Sequence, residues 1–161
     1  MASWERSGID CLNATRDLTG QEPVQVAAFS HRPEDDPGFR EVPATVAWTA
    51  RFPNNVIVSF DCSLNALANR RDRVHCDKGF LDLEEAFSGG GRVLTIGEKG
   101  RKAKLDLTPV SHFAAEMEHF SQCILENKTP TTPGEEGLAD HKVMAAIEES
   151  ARTGKAVSLK G

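Results

Sequence analysis

Apolar residues at the start of the chain recur with the spacing of a helix. Ile9, Cys11 and Leu12 form one apolar side of a helix predicted over residues 4–18, and Gly20 suits the left-handed position just after its end. Beyond this point apolar and polar positions alternate, which indicates strands rather than a continued helix.

Alternation is strongest in the middle of the chain. Trp48 is an apolar position of one predicted strand, Val56 and Phe60 are apolar positions of the next, and Asn54 lies between the two strands. Because asparagine tolerates a positive φ, this pattern predicts a tight hairpin. Further alternation extends the hairpin to an antiparallel meander of about seven strands. We expect Trp48, Val56 and Phe60 to lie partly on a sheet face that no helix covers.

Helical spacing returns near the carboxyl end. Phe113, Met117, Phe120 and Ile124 fall four, three and four residues apart, so they lie on one side of a predicted helix. A single apolar stripe of this kind is typical of a helix that packs on a core. We therefore expect the stripe to be buried.

The last predicted helix begins at Thr132, with Pro133 in its first turn and Glu135 completing a capping box, and it stops at Gly154. One helix, a run of antiparallel strands and two helices indicate an α+β fold, with a predominantly antiparallel, open-faced sheet and helices on one face. A length of 161 residues suits one domain over residues 1–161.

Composition and charge narrow the classes of function. The formal net charge of -5 argues against a nucleic-acid surface, because phosphate contacts require a prominent basic patch. No apolar run approaches the length that crosses a bilayer, so no membrane segment is predicted. The four cysteines lie in apolar contexts without a CxxC pair. This pattern favours reduced, buried thiols in a reducing, cytoplasmic compartment over a metal site.

Two short patterns offer candidate chemistry. His112, Glu116 and His119 share one helix face and could hold a metal, but a polar edge beside the apolar stripe is the simpler interpretation, and we predict no metal site. The glycine-rich segment "SGGGR" precedes a strand, so it predicts a hairpin connection rather than a phosphate cradle. Neither a dinucleotide-binding G-x-G-x-x-G nor a G-x-S-x-G motif is present.

The segment "TPTTPGEEGLADHKVMAAIEESARTGKAV" resembles the closing segment of the glucose-fructose oxidoreductase family, also called Gfo/Idh/MocA. In that family a GEEG helix start leads to ARTG and a valine. The segments "FAAEMEHFSQCILENKTP", "FREVPATVAWTARFPNNVIVSF" and "GIDCLNATRDLTGQEPVQV" resemble other parts of the same C-terminal domain, so the resemblance spans nearly the whole chain. It implies a C-terminal domain like that of glyceraldehyde-3-phosphate dehydrogenase, whose open sheet face forms a homodimer.

The resemblance also implies what accompanies such a domain. Family members begin with a Rossmann domain that binds NADP, so we expect a Rossmann domain as a partner and no cofactor for this chain alone. In the first helix, Arg6 and Asp10 match the family's catalytic Asp and its Tyr or His. Asp10 would be ionised at neutral pH and could not donate a proton. Asn13 and Arg16 match the family pattern and are predicted to bind substrate.

Three functions remain open. We favour an isolated substrate-binding and dimerisation domain, engineered or naturally truncated, with no catalytic activity of its own. The second is part of an NADP-dependent sugar oxidoreductase completed by a separate Rossmann chain, with Asp10 as base and Arg6 orienting the sugar. The third is a carbohydrate-binding module in which Arg71, Arg73 and His75 donate hydrogen bonds to a sugar. An exported family member would place the domain in the periplasm instead of the cytoplasm.

Overall fold

A computed structural model describes residues 3–159, and within the first helix it describes the side chains of Trp4 and of residue 8 onward. The chain forms two compact units, the first made of residues 1–67 and 132–161 and the second of residues 68–131. The helices are α1 (Ser3–Thr19), α2 (His112–Glu126) and α3 (Gly134–Thr153). The strands are β1 (Gln25–His31), β2 (Thr45–Arg51), β3 (Ile57–Ser63), β4 (Arg71–His75), β5 (Gly79–Glu84), β6 (Val93–Glu98), β7 (Arg101–Asp106) and β8 (Val157–Ser158).

The first unit contains a four-stranded antiparallel sheet in the order β3-β2-β1-β8. The predicted hairpin between β2 and β3 is confirmed, since Asn54 and Asn55 adopt positive φ values of 60° and 63°. The first helix is also confirmed, and Gly20 follows it with a φ of 61°. Local sequence signals therefore located these boundaries within a residue or two.

The core of the first unit lies between its sheet and the helices α1 and α3. Trp48 of β2 is opposite Phe60 of β3, and their rings stack with centroids 4.9 Å apart. Trp4 of α1 meets the Trp48 ring edge-on at 6.1 Å, and Trp48 is only 3% exposed. The prediction that Trp48 and Phe60 lie on an open face is wrong, because α1 covers that face. Val56 alone of the three predicted residues is exposed, just before β3.

The carboxyl end of the chain completes the same sheet. Buried Ser150 on α3 accepts a hydrogen bond from the Ala28 backbone N–H at 2.9 Å and donates one to the Lys155 carbonyl at 2.7 Å. Gly154 ends α3 with a φ of 67°, as the sequence predicted. This turn directs β8 back to pair with β1.

The predicted capping box of α3 does not form. The helix begins at Gly134, so the capping position falls on Pro133, whose side chain has no hydrogen-bond acceptor. The Glu136 N–H is instead satisfied by the Pro133 carbonyl at 3.0 Å. Thr132 therefore lies one residue too early to act as the cap.

The second unit contains another four-stranded antiparallel sheet, in the order β4-β5-β6-β7, followed by α2. The strands thus form two sheets, not the single meander that alternation predicted. The reason is the connection at residues 64–70, which forms no ladder and leaves β3 and β4 at the edges of different sheets. The "SGGGR" segment connects β5 to β6, as expected.

The apolar stripe of α2 is exposed, contrary to the prediction that it would be buried. Phe113, Met117, Phe120 and Ile124 are all more than half exposed. The spacing correctly gave the helix and its apolar side, but spacing does not show whether a partner covers that side.

In the described part of the chain, no helix is long and apolar enough to cross a bilayer.

The prediction that all four cysteines are buried is wrong. Cys123 is buried, Cys11 and Cys62 are partly buried, and Cys76 is exposed. Cys76 directly follows β4, in the turn that leads to β5. It is exposed because none of the described residues packs on this turn. Burial raises the pKa of the Cys62 thiol to about 11.

Candidate functional site

The two predicted catalytic positions belong to α1. Trp4, Gly8 and Leu12 recur every four residues and bury one side of this helix. Asp10 is exposed and therefore lies away from that buried side. The side chain of Arg6 lies outside the described residues.

Asn13 and Arg16, the two predicted substrate contacts on α1, come together in one polar cluster. Arg16 Nη1 donates to Asp140 Oδ1 at 2.6 Å and to Glu136 Oε1 at 2.7 Å, and both carboxylates belong to α3. The Asn13 amide donates to Asp140 Oδ2 at 3.1 Å and to Glu136 Oε1 at 3.3 Å. Both predicted contacts therefore join α1 to α3.

A third carboxylate completes this cluster. Arg16 Nε and Nη2 donate to the two oxygens of Glu22 at 2.8 and 2.6 Å, so the guanidinium uses both of its edges. The hydrogen bonds that Arg16 donates to Glu22 and Asp140 outweigh burial and raise the pKa of the guanidinium. Arg16 is 5% exposed and Asp140 is 3% exposed, so the pair is shielded from water. The arrangement can hold two helices together, and it leaves Arg16 few free donors.

A second charged cluster lies on one face of the second sheet. Arg71 and Arg73 of β4 both form ion pairs with Asp82 of β5, and Arg71 does so through Nε as well as Nη2. Asp82 is 4% exposed. Hydrogen bonds from Arg71 and Arg73 hold the pKa of its carboxyl well below the usual range.

His75 lies on the same face, four residues after Arg71. It is exposed and opposite Phe80 of β5. The Phe80 ring lies against Gly97 of β6, where an added Cβ would be 2.2 Å from the ring. The guanidinium of Arg73 is 5.9 Å from the ring centroid, a distance at which a cation and an aromatic ring attract each other. This face can offer an aromatic ring, two arginines and an imidazole to a ligand.

The predicted polar edge of α2 has a structural role. His119 Nε2 accepts a hydrogen bond from the Thr131 N–H at 3.0 Å and lies 3.2 Å from Thr131 Oγ1. The imidazole therefore fixes the loop that follows α2. Among the described residues, no group of three or more His, Cys, Asp or Glu side chains is arranged to hold a metal ion.

Sequence reasoning missed the acidic partners in both clusters. Glu136 and Asp140 are more than one hundred residues away from Arg16 along the chain, and Asp82 becomes a partner of Arg71 only through the register of β4 and β5. Strand alternation did place Asp82 and Arg73 on polar positions. That signal suggests a shared face but does not say which strands are neighbours.

The part of the chain from α1 to β5 corresponds to a known domain. Residues 6–82 match the model of the GFO/IDH/MocA C-terminal domain. The chain is similar to Gfo/Idh/MocA C-terminal domains. The resemblance that the sequence suggested is confirmed, and so is its α+β fold with antiparallel sheets.

Two known oxidoreductases show how much of a longer enzyme this chain resembles. The aldose-aldose oxidoreductase of Caulobacter crescentus, solved with glycerol, is 34% identical with a TM-score of 0.88, over 94% of this chain and 46% of that one. The D-xylose 1-dehydrogenase (NADP(+)) 2 of Haloferax volcanii is 31% identical over 90 residues, which are 54% of this chain and 28% of the dehydrogenase. The chain thus spans about half the length of the solved relative.

A more distant structure shares the fold alone. An oxidoreductase of Agrobacterium radiobacter, solved with NAD+, L-tartaric acid and magnesium, is 16% identical with a TM-score of 0.77. It matches 94% of this chain and 47% of its own length. The Gfo/Idh/MocA C-terminal fold is therefore kept across sequences that have diverged widely.

Proposed function

We propose that this chain is the substrate-binding and subunit-association domain of an NADP-dependent sugar oxidoreductase, and that it does not turn over sugar alone. The observation that carries the proposal is the match to aldose-aldose oxidoreductase across 94% of this chain but only 46% of that enzyme. Hydride transfer requires a nicotinamide held against the substrate carbon, which in this family is the task of the Rossmann half. The name of the H. volcanii dehydrogenase supports NADP as the cofactor of the complete enzyme.

We treat residues 1–161 as one such domain, although they form two compact units. The family match over residues 6–82 supports this view, because it crosses the boundary between the units at Leu67. The two units would then act as one domain in a complete enzyme.

The proposed inactivity rests on the α1 residues. Arg6 and Asp10 occupy the positions of the family's acid-base pair, and neither can replace a neutral proton donor at pH 7. Asn13 and Arg16 are engaged with α3, so we assign them to positioning α1.

We propose that the sugar contacts lie on the polar face of the second sheet. Arg71 and His75 are exposed there, and we keep them as the proposed substrate contacts. Asp82 engages Nε and Nη2 of Arg71, which holds the guanidinium in place and leaves Nη1 for a ligand. A sugar hydroxyl could accept from that group.

We propose that the homodimer forms through the apolar face of the second sheet. Leu81 of β5 and Ile96 of β6 are register partners on this face and are 38% and 37% exposed. Leu105 of β7 lies on the same face and is 46% exposed. An open, contiguous apolar face of this kind favours association with a copy of itself.

A turnover assay tests the enzymatic part of the proposal. The purified chain is mixed with NADP and D-xylose or D-glucose, and the absorbance of NADPH is followed. We expect no product, while the H. volcanii dehydrogenase assayed with D-xylose gives a positive control. Sugar-dependent NADPH formation by the chain alone would contradict the proposed inactivity.

Light scattering at several concentrations tests the dimer. We expect a dimer that persists on dilution, and Ile96→Glu should convert it to a monomer because it places a charge in the apolar face. The matched control is Ile57→Glu, which changes an exposed isoleucine on β3 of the first sheet and should leave the mass unchanged. A monomer at every concentration would remove the dimer from the proposal and leave the sugar-binding part to be judged separately.

A further inference from the structure

The proposed function leaves the exposed apolar side of α2 unused. Phe113, Met117, Phe120 and Ile124, here called the α2 stripe, are 77%, 64%, 55% and 65% exposed. Side chains of these types are usually buried, and four in one contiguous row mark a contact surface rather than scattered surface apolar residues.

The neighbouring side of α2 is already occupied by its own loop. Asn127 ends the helix in the left-handed conformation, and its N–H and that of Lys128 return to helix carbonyls. His119 holds Thr131 at the end of this loop, and Cys123 is 7% exposed. The loop therefore closes the side of α2 that carries Cys123 and leaves the stripe open to a partner.

A shallow pocket continues the α2 stripe at its carboxyl end. Its volume is about 400 Å³, and it lies between Phe120, Ile124 and the loop at residues 127–130. A pocket of this kind beside an apolar row can receive one large apolar side chain, which is how the strongest contacts of protein interfaces are usually built.

We propose that the α2 stripe is the surface on which a dinucleotide-binding half docks, whether that half is on the same polypeptide or a separate one. The inference rests on the proposed function and adds the location of the contact. This chain spans 46% of the C. crescentus oxidoreductase, and the H. volcanii dehydrogenase that it resembles uses NADP, so a complete enzyme of this kind has a further part that can hold the dinucleotide.

The spacing of the stripe also fits this occupant. Apolar residues four, three and four positions apart form a narrow row that suits packing against another helix. A doubly wound dinucleotide-binding domain carries helices on both faces of its sheet, so its outer surface consists largely of helices. A second copy of this chain also carries an α2 stripe, and the self-association of Phe120→Glu distinguishes that occupant from the dinucleotide-binding half.

Titration calorimetry with a separate dinucleotide-binding half tests the proposal. The probe is the part of the C. crescentus aldose-aldose oxidoreductase that this chain does not cover, in a preparation that shows a cooperative thermal unfolding transition. We expect the chain to bind it, and Phe120→Glu to weaken binding at least tenfold. Phe120→Leu should stay within about threefold because it keeps an apolar contact. Since Phe120 is exposed, neither change removes a core residue.

Ile96→Glu is the matched control, since it places the same charge on the apolar sheet face. It should leave the affinity for the probe within about twofold while reducing self-association. If Phe120→Glu binds as tightly as the unmodified chain, the docking surface lies elsewhere and the proposed function stands. If the unmodified chain does not bind the folded probe, the partner in the proposed function is wrong as well. If Phe120→Glu abolishes self-association instead, the stripe belongs to the dimer and the inference is overturned.

Discussion

Arg16 and Asp140 form an ion pair of 2.6 Å that joins the first helix of the chain to the last. Both side chains are almost fully buried, and Asn13 donates to the second oxygen of the same carboxylate. In the first unit this cluster fixes α1, the helix that carries Asp10, against α3. The two residues of α1 that the sequence predicted to bind substrate are therefore part of the support for this helix.

Removing the cation from this cluster should destabilise the first unit strongly. Arg16→Met leaves Asp140 buried without its partner, and we expect the free energy of unfolding to fall by about 3–5 kcal/mol. Asp140→Asn should cost less, because Arg16 keeps Glu22 and Glu136. Urea unfolding followed by circular dichroism measures both. Arg51→Met, on an exposed strand position, is the control and should change stability by less than about 0.5 kcal/mol. Equal effects of Arg16→Met and Arg51→Met would show that the buried cluster contributes no stability.

The close approach of α1 to the first sheet depends on Gly8. A Cβ at this position would lie 2.9 Å from Trp48 Cη2, and the Trp48 ring is held between Trp4 and Phe60. Gly8→Ala should therefore destabilise the chain by about 1–3 kcal/mol, despite the better helix propensity of alanine. Gly137→Ala in α3 meets no atom within 4 Å and should stabilise by about 0.5–1 kcal/mol. Thermal unfolding of both variants gives the comparison, and stabilisation by Gly8→Ala would contradict the packing argument.

Asp82 should make the stability of the second unit depend on pH in the acidic range. Its pKa is lowered in the folded chain by Arg71 and Arg73, so the unfolded chain binds the proton more tightly. The charged Asp82 therefore stabilises the folded chain fully above about pH 4. This contribution to the free energy of unfolding is lost as the pH falls from there through the lowered pKa. At pH 7 we expect Asp82→Asn to cost about 1 kcal/mol, a modest value because both arginines are more than two-fifths exposed.

Urea unfolding between pH 7 and pH 2 measures this dependence. The difference in stability between the unmodified chain and Asp82→Asn should shrink towards zero below pH 4. Asp77→Asn, in the exposed turn between β4 and β5, is the matched control and should show no such change. A difference that stayed constant with pH would mean that the charge of Asp82 is not what stabilises the sheet.

The cysteines should differ widely in reactivity. Burial raises the pKa of Cys62 to about 11, whereas Cys76 is exposed. At pH 8 a thiol with a pKa near 11 is only about 0.1% thiolate, so alkylation of Cys62 should be slow. Timed iodoacetamide labelling with peptide mass spectrometry should find Cys76 modified first. Labelling in urea removes the burial and should abolish the difference. Equal rates in the folded chain would show that Cys62 is accessible.

Local patterns in the sequence determined the elements of this protein. Apolar spacing located α1 and α2, and start and stop signals located the main part of α3. Gly20 marked the end of α1 and Asn54 marked the hairpin between β2 and β3, because each adopts a positive φ. The carboxyl-terminal segment carried the family resemblance, and from it the fold class. These elements depend on residues a few positions apart, so the local sequence is enough to predict them.

Only the tertiary structure decided which elements meet. It placed Trp48 under α1, divided the strands into two sheets, and paired Arg16 with α3 and Arg71 with β5. It also left the α2 stripe exposed, although the spacing of that helix resembles that of a buried one. Periodicity shows which side of an element is apolar, but register and distant packing determine what covers it, because those contacts join residues far apart in the chain.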